Sequence, residues 1–307
     1  MRILLTGARG FIGSRFLLLL KRQGVESILA LGRHPVDADR GVENIILPDL
    51  TLESVGAALK DKRFDGVVHL AAAGVHPADR NPETLTAINS VLPGSLVSIA
   101  ASCGSRAFVM AGSSAEYRQL AEPRGLREDD PLETSKLYGA TKAAGGILAL
   151  AHGATAGIGV GVLRLFNAFG PGEAPHRLLP ALFRHLSSGN RVPLSPGAQI
   201  RDFVYVDDIC AALWAALEAL AEQRMPSGAY NVATGRECSV ADFSRLVARS
   251  LGMGEEMLDF GAMPMRPDDL PYLVGDSSAL EKHCGWKPAW TLERGIDEAV
   301  AALKRKG

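Results

Sequence analysis

The chain has 307 residues, enough for one large α/β domain or for a nucleotide-binding domain with a smaller lobe. A formal net charge of −1, with 47% hydrophobic and 22% charged residues, gives no basis for binding nucleic acid or an anionic membrane. The four cysteines are scattered without metal-ligand spacing, so we expect free thiols and no metal site. The first strand begins almost at Met1, and no apolar run reaches the ~18 residues of a membrane span, so we expect a cytoplasmic protein.

The most informative segment is at the start of the chain. Apolar residues 2–5 run into three glycines, Gly7, Gly10 and Gly13, and then into a helical stretch. A glycine turn between strand and helix holds a dinucleotide pyrophosphate at the helix N-terminus, although a purely structural strand–turn–helix has the same spacing. We therefore predict a dinucleotide site that includes the intervening residues Arg9, Phe11 and Ile12.

The first half of the chain alternates short apolar runs with helical stretches, the pattern of βαβ units around a parallel sheet. Most of the runs are continuously apolar, as expected when helices cover both faces of the sheet. We predict an α/β fold with a doubly wound parallel sheet. Its strands are 2–5, 27–31, 44–47, 66–70, 107–111 and 159–165, and its helices are 12–23, 52–60, 84–103 and 138–152.

The second half has longer loops and shorter elements after the Gly-Pro-Gly sequence at 170–172. Helices are predicted at 240–251 and 292–304. We expect a dinucleotide-binding core at 1–167 and a smaller C-terminal α/β lobe at 168–307, which returns a segment to the core. The ligand cleft then lies between them, at the carboxyl ends of the strands.

Candidate catalytic groups follow the strand at 107–111. Tyr138 and Lys142 are four residues apart on a predicted helix and share one face. A lysine ammonium near a phenol favours the phenolate and lowers the tyrosine pKa towards that of a proton-transfer catalyst. Ser113 comes at the strand end, where its hydroxyl can bind a carbonyl oxygen beside Tyr138; a turn or capping role for it stays open.

These segments together resemble the extended short-chain dehydrogenase/reductase family of nucleotide-sugar enzymes, the NAD-dependent epimerase/dehydratase family, over nearly the whole chain. Residues 6–13 match its TGxxGxIG sequence, and residues 138–142 match its YxxxK motif. The resemblance implies a Rossmann core and a nucleotide-sugar substrate. It makes Tyr138 the general acid/base, with Lys142 tuning it and contacting the nicotinamide ribose, and Ser113 orienting the substrate oxygen.

The resemblance also assigns binding residues outside the glycine loop. To the cofactor it gives the turn beside adenine, the segment beneath the cofactor and an asparagine of the next helix: Asp49, Leu50, Leu70, Ala71, Ala72, Ala73 and Asn89. To the substrate it gives Ser114, Asn167, Arg201 and Arg266, the last within the family-like sequence at 266–269. Guanidinium groups suit nucleotide phosphates, although surface ion pairs stay open for both arginines.

The run at 201–208 matches the family's RDFxxVDD sequence and ends in two aspartates, Asp207 and Asp208. Two adjacent carboxylates resemble half of a metal site. Aspartate is also a preferred helix-capping residue. We interpret the pair as caps of a helix that begins at Ile209.

The second strand ends in Gly32 and Arg33, where NAD-specific members place an acid for the ribose 2′-hydroxyl. Arginine at this point accommodates the 2′-phosphate of NADP, and Arg9 offers a second cation. We therefore expect NADP(H) in preference to NAD(H). The alternative is that Arg33 stacks on adenine or points to solvent.

The choice of reaction depends on the residues that follow Ser113. Dehydratases of the family carry two adjacent acids there, whereas this chain has Ser114 and Ala115, and Glu116 is one place too late. Segments 112–117 and 266–276 look most like the GDP-4-keto-6-deoxy-mannose reductase branch. We expect NADPH-dependent reduction of a nucleotide-linked 4-keto-6-deoxyhexose. The alternatives are an NAD-dependent nucleotide-sugar 4-epimerase and a non-catalytic NADP sensor.

The helices at 84–103 and 138–152 form the dimer interface in many members of the family. Both are rich in apolar and small residues, including Gly145 and Gly146. We expect a homodimer, with close helix packing across the interface as one explanation of the glycines. Burial of the same faces inside one subunit is the alternative.

Overall fold

The computed structural model describes residues 1–25, 27–37, 41–76, 79–266 and 269–305. Its strands are β1 Arg2–Thr6, β2 Ser27–Gly32, β3 Val42–Ile46, β4 Gly66–His69, β5 Ala107–Ser113, β6 Gly159–Leu165, β7 Asn167–Phe169, β8 Val192–Leu194, β9 Ile200–Arg201, β10 Phe203–Tyr205, β11 Gly228–Val232, β12 Cys238–Ser239, β13 Leu258–Phe260 and β14 Tyr272–Leu273. Its helices are α1 Phe11–Arg22, α2 Leu52–Leu59, α3 Pro82–Leu85, α4 Leu92–Ser102, α5 Leu137–Ala156, α6 Leu178–Ser187, α7 Val206–Ala221, α8 Val240–Ser250, α9 Ser278–Cys284 and α10 Leu292–Lys304.

A seven-stranded sheet in the order β11-β6-β5-β4-β1-β2-β3 forms the centre of the fold, with every neighbouring pair parallel. Successive side chains of β1 point to opposite faces. Ile3 and Leu5 pack in one core with Phe16 of α1, and Leu4 packs in the other with Val97 of α4. Helices α1 and α7 cover the first face, and α2, α4 and α5 the second. The predicted doubly wound parallel sheet is confirmed.

The C-terminal lobe is built from short strand pairs. Strand β10 pairs with β7, β13 pairs with β8, and β9 lies between β12 and β14. Helices α6, α8 and α10 pack on one another beside them. Strand β11 leaves the lobe and pairs with β6 at the edge of the main sheet, so that core and lobe share a continuous chain path across the cleft.

The predicted helix at 84–103 contains a π-helical turn, Thr86–Val91, between α3 and α4. Pro93 has no N–H and cannot donate to the carbonyl of Asn89, one helical turn earlier. Gly145 of α5 occupies the space beside that carbonyl, where a Cβ would lie 1.9 Å from the Asn89 oxygen. Gly145 therefore allows α5 to pack closely on the π-helical turn within one subunit. This is the alternative to close helix packing across a subunit interface.

The stretch Pro82–Ser102 is an exception to the expectation that no apolar segment has the length of a membrane span. By length and composition alone it is long and apolar enough to cross a bilayer, with 21 residues and a mean hydropathy of 1.4 in its most apolar window. Half of that window is buried inside the protein, and α4 packs on α5 and on the main sheet. It has the environment of a core helix of a globular domain.

The two aspartates of α7 do not cap a helix from Ile209, so that prediction is wrong. Helix α7 begins at Val206, and the carboxylates have separate structural partners. Asp207 forms a bidentate ion pair with Arg15 of α1 at 2.7 and 2.8 Å, and Asp208 is buried. The Asp208 carboxylate accepts hydrogen bonds from the backbone N–H groups of Ala289 and Trp290, at 2.9 and 3.1 Å.

Asp208→Ala is expected to lower the free energy of unfolding by about 2–3 kcal/mol, because it removes the buried acceptor of two part-buried backbone hydrogen bonds. The matched control Asp207→Ala removes a partly exposed ion pair and is expected to cost about 1 kcal/mol or less. Urea unfolding of both variants measures the difference. Equal losses would contradict the assigned roles.

Candidate active site

The three glycines form a cradle at the carboxyl end of β1. Gly7 has a φ of 70°, and a Cβ on it would lie 2.7 Å from the carbonyl carbon of Leu70. The N–H of Gly10 donates to the Gly7 carbonyl at 2.9 Å and closes the turn. A Cβ on Gly13 would lie 2.1 Å from the Gly7 oxygen. Each close approach excludes a side chain.

Helix α1 presents its N-terminus to this cradle. Gly10 is the N-cap, no side chain caps the helix, and its first turn contains no acidic residue. The first backbone N–H groups, including those of Phe11 and Ile12, therefore remain available to an anion at the positive end of the helix dipole. The cradle fits a dinucleotide pyrophosphate.

Thr6 links this cradle to the end of the neighbouring strand β4. Its hydroxyl oxygen accepts hydrogen bonds from the backbone N–H groups of Leu70 and Ala71, both at 3.1 Å, and lies 2.9 Å from Nδ1 of His69. Burial, with a smaller contribution from the Lys142 charge, lowers the pKa of His69 to about 3 and keeps its ring neutral. The predicted cofactor segment is thus held directly beside the glycine turn. This role of Thr6 was not among the sequence predictions.

The side chain of Asn89 also binds the predicted cofactor segment after β4. Its side-chain oxygen accepts from the N–H of Ala73 at 2.9 Å, and its amide nitrogen donates to the Ala73 carbonyl at 3.1 Å. Asn89 is buried, with 1% of its surface exposed. Asn89 therefore fixes the backbone at Ala73 within the predicted cofactor segment, which also contains Ala72. Both polar atoms of its side-chain amide are used in these hydrogen bonds.

The residues predicted around the adenosine have mixed environments. Asp49 turns its carboxylate into its own loop, where it accepts from Thr51 and from the Ser54 hydroxyl at 2.7 Å, leaving backbone and the neighbouring Leu50 for ligand contacts. Arg9 and Arg33 are both exposed. Within the described residues their guanidiniums make no hydrogen bond or ion pair, so nothing fixes them as a phosphate site.

Ser113 ends β5, and the predicted Tyr138 and Lys142 lie on α5, which packs against that strand and the turn after it. The Ser113 hydroxyl accepts from the N–H of Ala115 at 3.1 Å and caps the short turn that follows, and it lies close enough to Tyr138 to affect the pKa of the phenol. The Lys142 ammonium is buried and donates to the carbonyl of Ala111 at 2.5 Å. Gly139 makes the approach possible, because a Cβ on it would lie 2.0 Å from the backbone oxygen of Ala115.

The electrostatics of this group differ from the expectation. Burial raises the pKa of the Tyr138 phenol and the Glu116 charge raises it further, while the nearby Ser113 hydroxyl and the charges of Arg80 and Arg177 oppose that rise. Burial lowers the pKa of Lys142, whose ammonium is directed to Ala111. The cations that act on the phenol in this structure are therefore two arginines, and Arg80 was not predicted.

The Glu116 carboxylate is buried and hydrogen-bonded within the protein, although its charge acts on both Tyr138 and Lys142. The carboxylate accepts from the N–H of Ser113 at 2.7 Å and from Nε of Arg164 at 2.9 Å, and Glu116 is 1% exposed. Arg164 also donates a hydrogen bond to the Tyr117 hydroxyl at 2.9 Å. The Tyr117 hydroxyl in turn donates to the side-chain oxygen of Asn231 at 2.6 Å. This buried network holds the end of β5 and engages Glu116 fully.

The residues predicted to bind the substrate differ in their exposure and in their partners. Asn167 is partly exposed at the start of β7, and Ser114 is buried in the turn after Ser113. Arg201 is buried and pairs with Asp269, whereas Arg266 is exposed. The two central positions of the predicted sequence at 266–269, Pro267 and Asp268, lie outside the described residues.

The family follows from a direct comparison. The model of the NAD dependent epimerase/dehydratase family matches residues 3–233, a span that contains the glycine cradle and the group around Tyr138. The chain belongs to this family. Its members are enzymes of the short-chain dehydrogenase/reductase type, and the predicted family and enzyme class are confirmed.

Individual relatives cover nearly the whole chain. The chain is 29% identical to the dTDP-glucose 4,6-dehydratase of Streptomyces griseus over 97% of its length and 93% of that protein. It is 27% identical to UDP-glucuronate 4-epimerase 4 of Arabidopsis thaliana over 97% of its length and 74% of that protein. The structure of MoeE5 with UDP-glucuronic acid and NAD superposes with a TM-score of 0.87 at 27% identity, covering 100% of both chains.

The expected preference for NADP(H) is wrong. MoeE5 was solved with NAD, as was the UDP-glucose 4-epimerase of Thermus thermophilus, which is 27% identical to this chain over 99% of both chains with a TM-score of 0.86. The physical reason is the setting of Arg9 and Arg33. Both guanidiniums can turn to solvent, so their presence does not require a 2′-phosphate.

Gly13→Ala is expected to destabilise the fold by about 1–3 kcal/mol, because its methyl overlaps the Gly7 carbonyl. Gly10→Ala has a compatible backbone and a Cβ 3.2 Å from the same oxygen, so the fold tolerates it and NAD affinity falls about tenfold. Thermal unfolding and NAD titration separate the two effects. Unchanged NAD affinity in Gly10→Ala would contradict the assigned pyrophosphate site.

Proposed function

We propose that the protein is an NAD-dependent nucleotide-sugar 4-epimerase. The observation that carries the proposal is the placement of Ser113 at the end of β5 near Tyr138 and the buried Lys142 of α5, in a turn whose acid, Glu116, is engaged elsewhere. This arrangement supports proton transfer at a sugar hydroxyl. It offers no second proton donor of the carboxylic type at the strand end.

That difference separates the proposal from dehydration. Loss of water from a sugar needs an acid that protonates the leaving hydroxyl. The residues that follow Ser113 are Ser114 and Ala115, and Glu116 is buried against Arg164. The similarity to dTDP-glucose 4,6-dehydratases therefore reflects the common fold and the shared oxidation chemistry.

The 4-keto-sugar reductase interpretation loses its main support with the correction of the cofactor. A reductase consumes a dissociable reduced cofactor in each turnover, and the argument for NADPH rested on Arg9 and Arg33. An epimerase regenerates NAD within the turnover. The 4-epimerase, which the sequence analysis gives as an alternative, is therefore the better proposal.

In the proposed reaction, Tyr138 as phenolate removes the proton of the sugar C4 hydroxyl, and Ser113 holds the same oxygen. NAD, when bound, supplies a reversible hydride acceptor. After the 4-keto sugar turns to present its other face, Tyr138 returns the proton to the alkoxide of the inverted centre. Arg80 and Arg177 add positive charge near the phenol, which favours its ionised form against the effect of burial.

Tyr138→Phe is expected to lower kcat by about 10²–10⁴-fold, because it removes the acid/base while keeping the ring. NAD affinity should be unchanged. Tyr230→Phe, which removes a hydroxyl bound to the Pro226 carbonyl, is the matched control and should retain activity. The assay incubates NAD-loaded protein with UDP- and dTDP-hexoses and hexuronates and identifies the products by NMR. Formation of a dehydrated product, or turnover only with added reduced cofactor, would refute the epimerase proposal.

We also propose a homodimer formed through α4 and α5. Three apolar side chains on α5, Leu137, Ile147 and Leu148, and Val91 before α4 are exposed in the subunit. Ile147→Asp is expected to give a monomer in sedimentation experiments, because a buried charge in the interface has no partner. Leu18→Asp, at an exposed leucine of α1, is the control and should leave the dimer intact. A wild-type monomer would refute the proposal.

A further inference from the structure

A short segment of the lobe packs on the helix that borders the cofactor cradle. Residues 170–177, which we call the strap, run from the end of β7 to the start of α6. Gly172 in the strap has a φ of 98°, and a Cβ on it would lie 3.6 Å from Cδ2 of Phe11 and 3.9 Å from Oγ of Ser14. The middle of the strap therefore lies close to the first turn of α1, whose backbone N–H groups fit a pyrophosphate.

The two ends of the strap are held by other elements. Gly170 has a φ of 142°, and a Cβ on it would lie 2.7 Å from the side chain of Val206 at the start of α7. Arg177 is the N-cap residue of α6 and donates to the carbonyl of Ala168 in β7 at 3.5 Å. The strap thus connects α7, α1 and α6, so the interactions that fix its shape also fix its contact with α1.

The acid in the middle of the strap, Glu173, joins its two ends. Oε1 of Glu173 accepts the N–H of Gly170 at 2.9 Å, and Oε2 lies 3.7 Å from Nε of Arg177. The backbone N–H of Glu173 donates back to the Gly170 carbonyl at 3.4 Å. The side chain of Glu173 is 3% exposed, so the carboxyl lies inside the turn that it closes.

Burial of this carboxyl is unfavourable by itself. It raises the pKa of Glu173 to about 7, against the effects of the Gly170 N–H and of the Arg177 charge. A carboxylate in such a place is stabilised only by the hydrogen bonds and charges around it. The proposed proton transfer at Tyr138 makes no use of this group. The contacts of Glu173 therefore indicate a role in the shape of the strap.

We propose that Glu173 is a positioning residue that preorganises the strap for NAD binding. With the carboxyl in place, the segment beside the first turn of α1 has one conformation before NAD arrives. Without it, the Gly170 N–H and the Arg177 side chain lose their partner, and ordering the strap adds an entropic cost to binding. The inference concerns NAD binding and does not depend on the proposed 4-epimerase reaction.

Glu173→Ala is expected to weaken NAD binding by about tenfold, mainly through faster dissociation. Glu173→Gln keeps an oxygen for the Gly170 N–H without burying a charge, so its NAD affinity should stay within about twofold of wild type. Calorimetric titration gives the affinities, and stopped-flow displacement gives the dissociation rates. Rescue by glutamine is the result that a general loss of stability would not produce.

Glu281→Ala, which removes an exposed ion pair with Lys287 at the start of α9, is the matched control and should bind NAD as wild type does. Wild-type NAD affinity in Glu173→Ala would overturn the inference, and so would a glutamine variant as weak as the alanine variant. Neither measurement contains a sugar. Weaker NAD binding by Glu173→Ala, together with no C4 epimer from wild type, would refute the 4-epimerase function alone.

Hydrogen exchange on wild type gives a second test, which holds even where Glu173→Ala does not fold. NAD is expected to slow amide exchange in residues 170–177 as well as in the first turn of α1. Protection of α1 without protection of the strap would overturn the inference.

Discussion

The close approach of backbone segments at the carboxyl edge of the sheet is the constraint on which the site depends. Gly7 contacts the backbone of Leu70, Gly13 contacts the carbonyl of Gly7, and the Thr6 hydroxyl binds the strand end on the other side. These distances leave no space for a Cβ. They place the N-terminus of α1 and the segment after β4 around one ligand position, and the remaining elements are arranged about it.

The same constraint recurs along α5. Gly139 admits the oxygen of Ala115, Gly145 admits that of Asn89, and Gly146 packs on Val162 of β6. Glycine lowers intrinsic helix stability by about 1 kcal/mol relative to alanine. In α5 that cost is offset by packing that brings Tyr138 and Lys142 against the end of β5. The glycines of α5 therefore match its close packing against the backbone and side chains of its neighbours.

Much of the fold, and the placement of the candidate catalytic residues within it, could be predicted from sequence, because both depend on local signals. Continuous apolar runs identify buried parallel strands, and Ser113, Tyr138 and Lys142 have a fixed spacing relative to them. The errors concern partners that are distant in the chain. Asp208 binds backbone near residue 290, and the Arg80 guanidinium lies over the ring of Tyr138. Arg33 gave the wrong cofactor because its residue type does not reveal where its guanidinium points.

The network through Glu116 has a consequence for how this architecture can be recombined. Hydrogen bonds run from the backbone carbonyl of Asp276 to Asn231, Tyr117, Arg164 and Glu116, and so to the N–H of Ser113. The C-terminal lobe and Ser113 are thus joined by one largely buried chain of hydrogen bonds. A chimera that exchanged the lobe for that of a relative would have to carry matching partners for Arg164 and Asn231. Without them, the exchange would displace the active-site turn itself, so the lobe is not a separable specificity module.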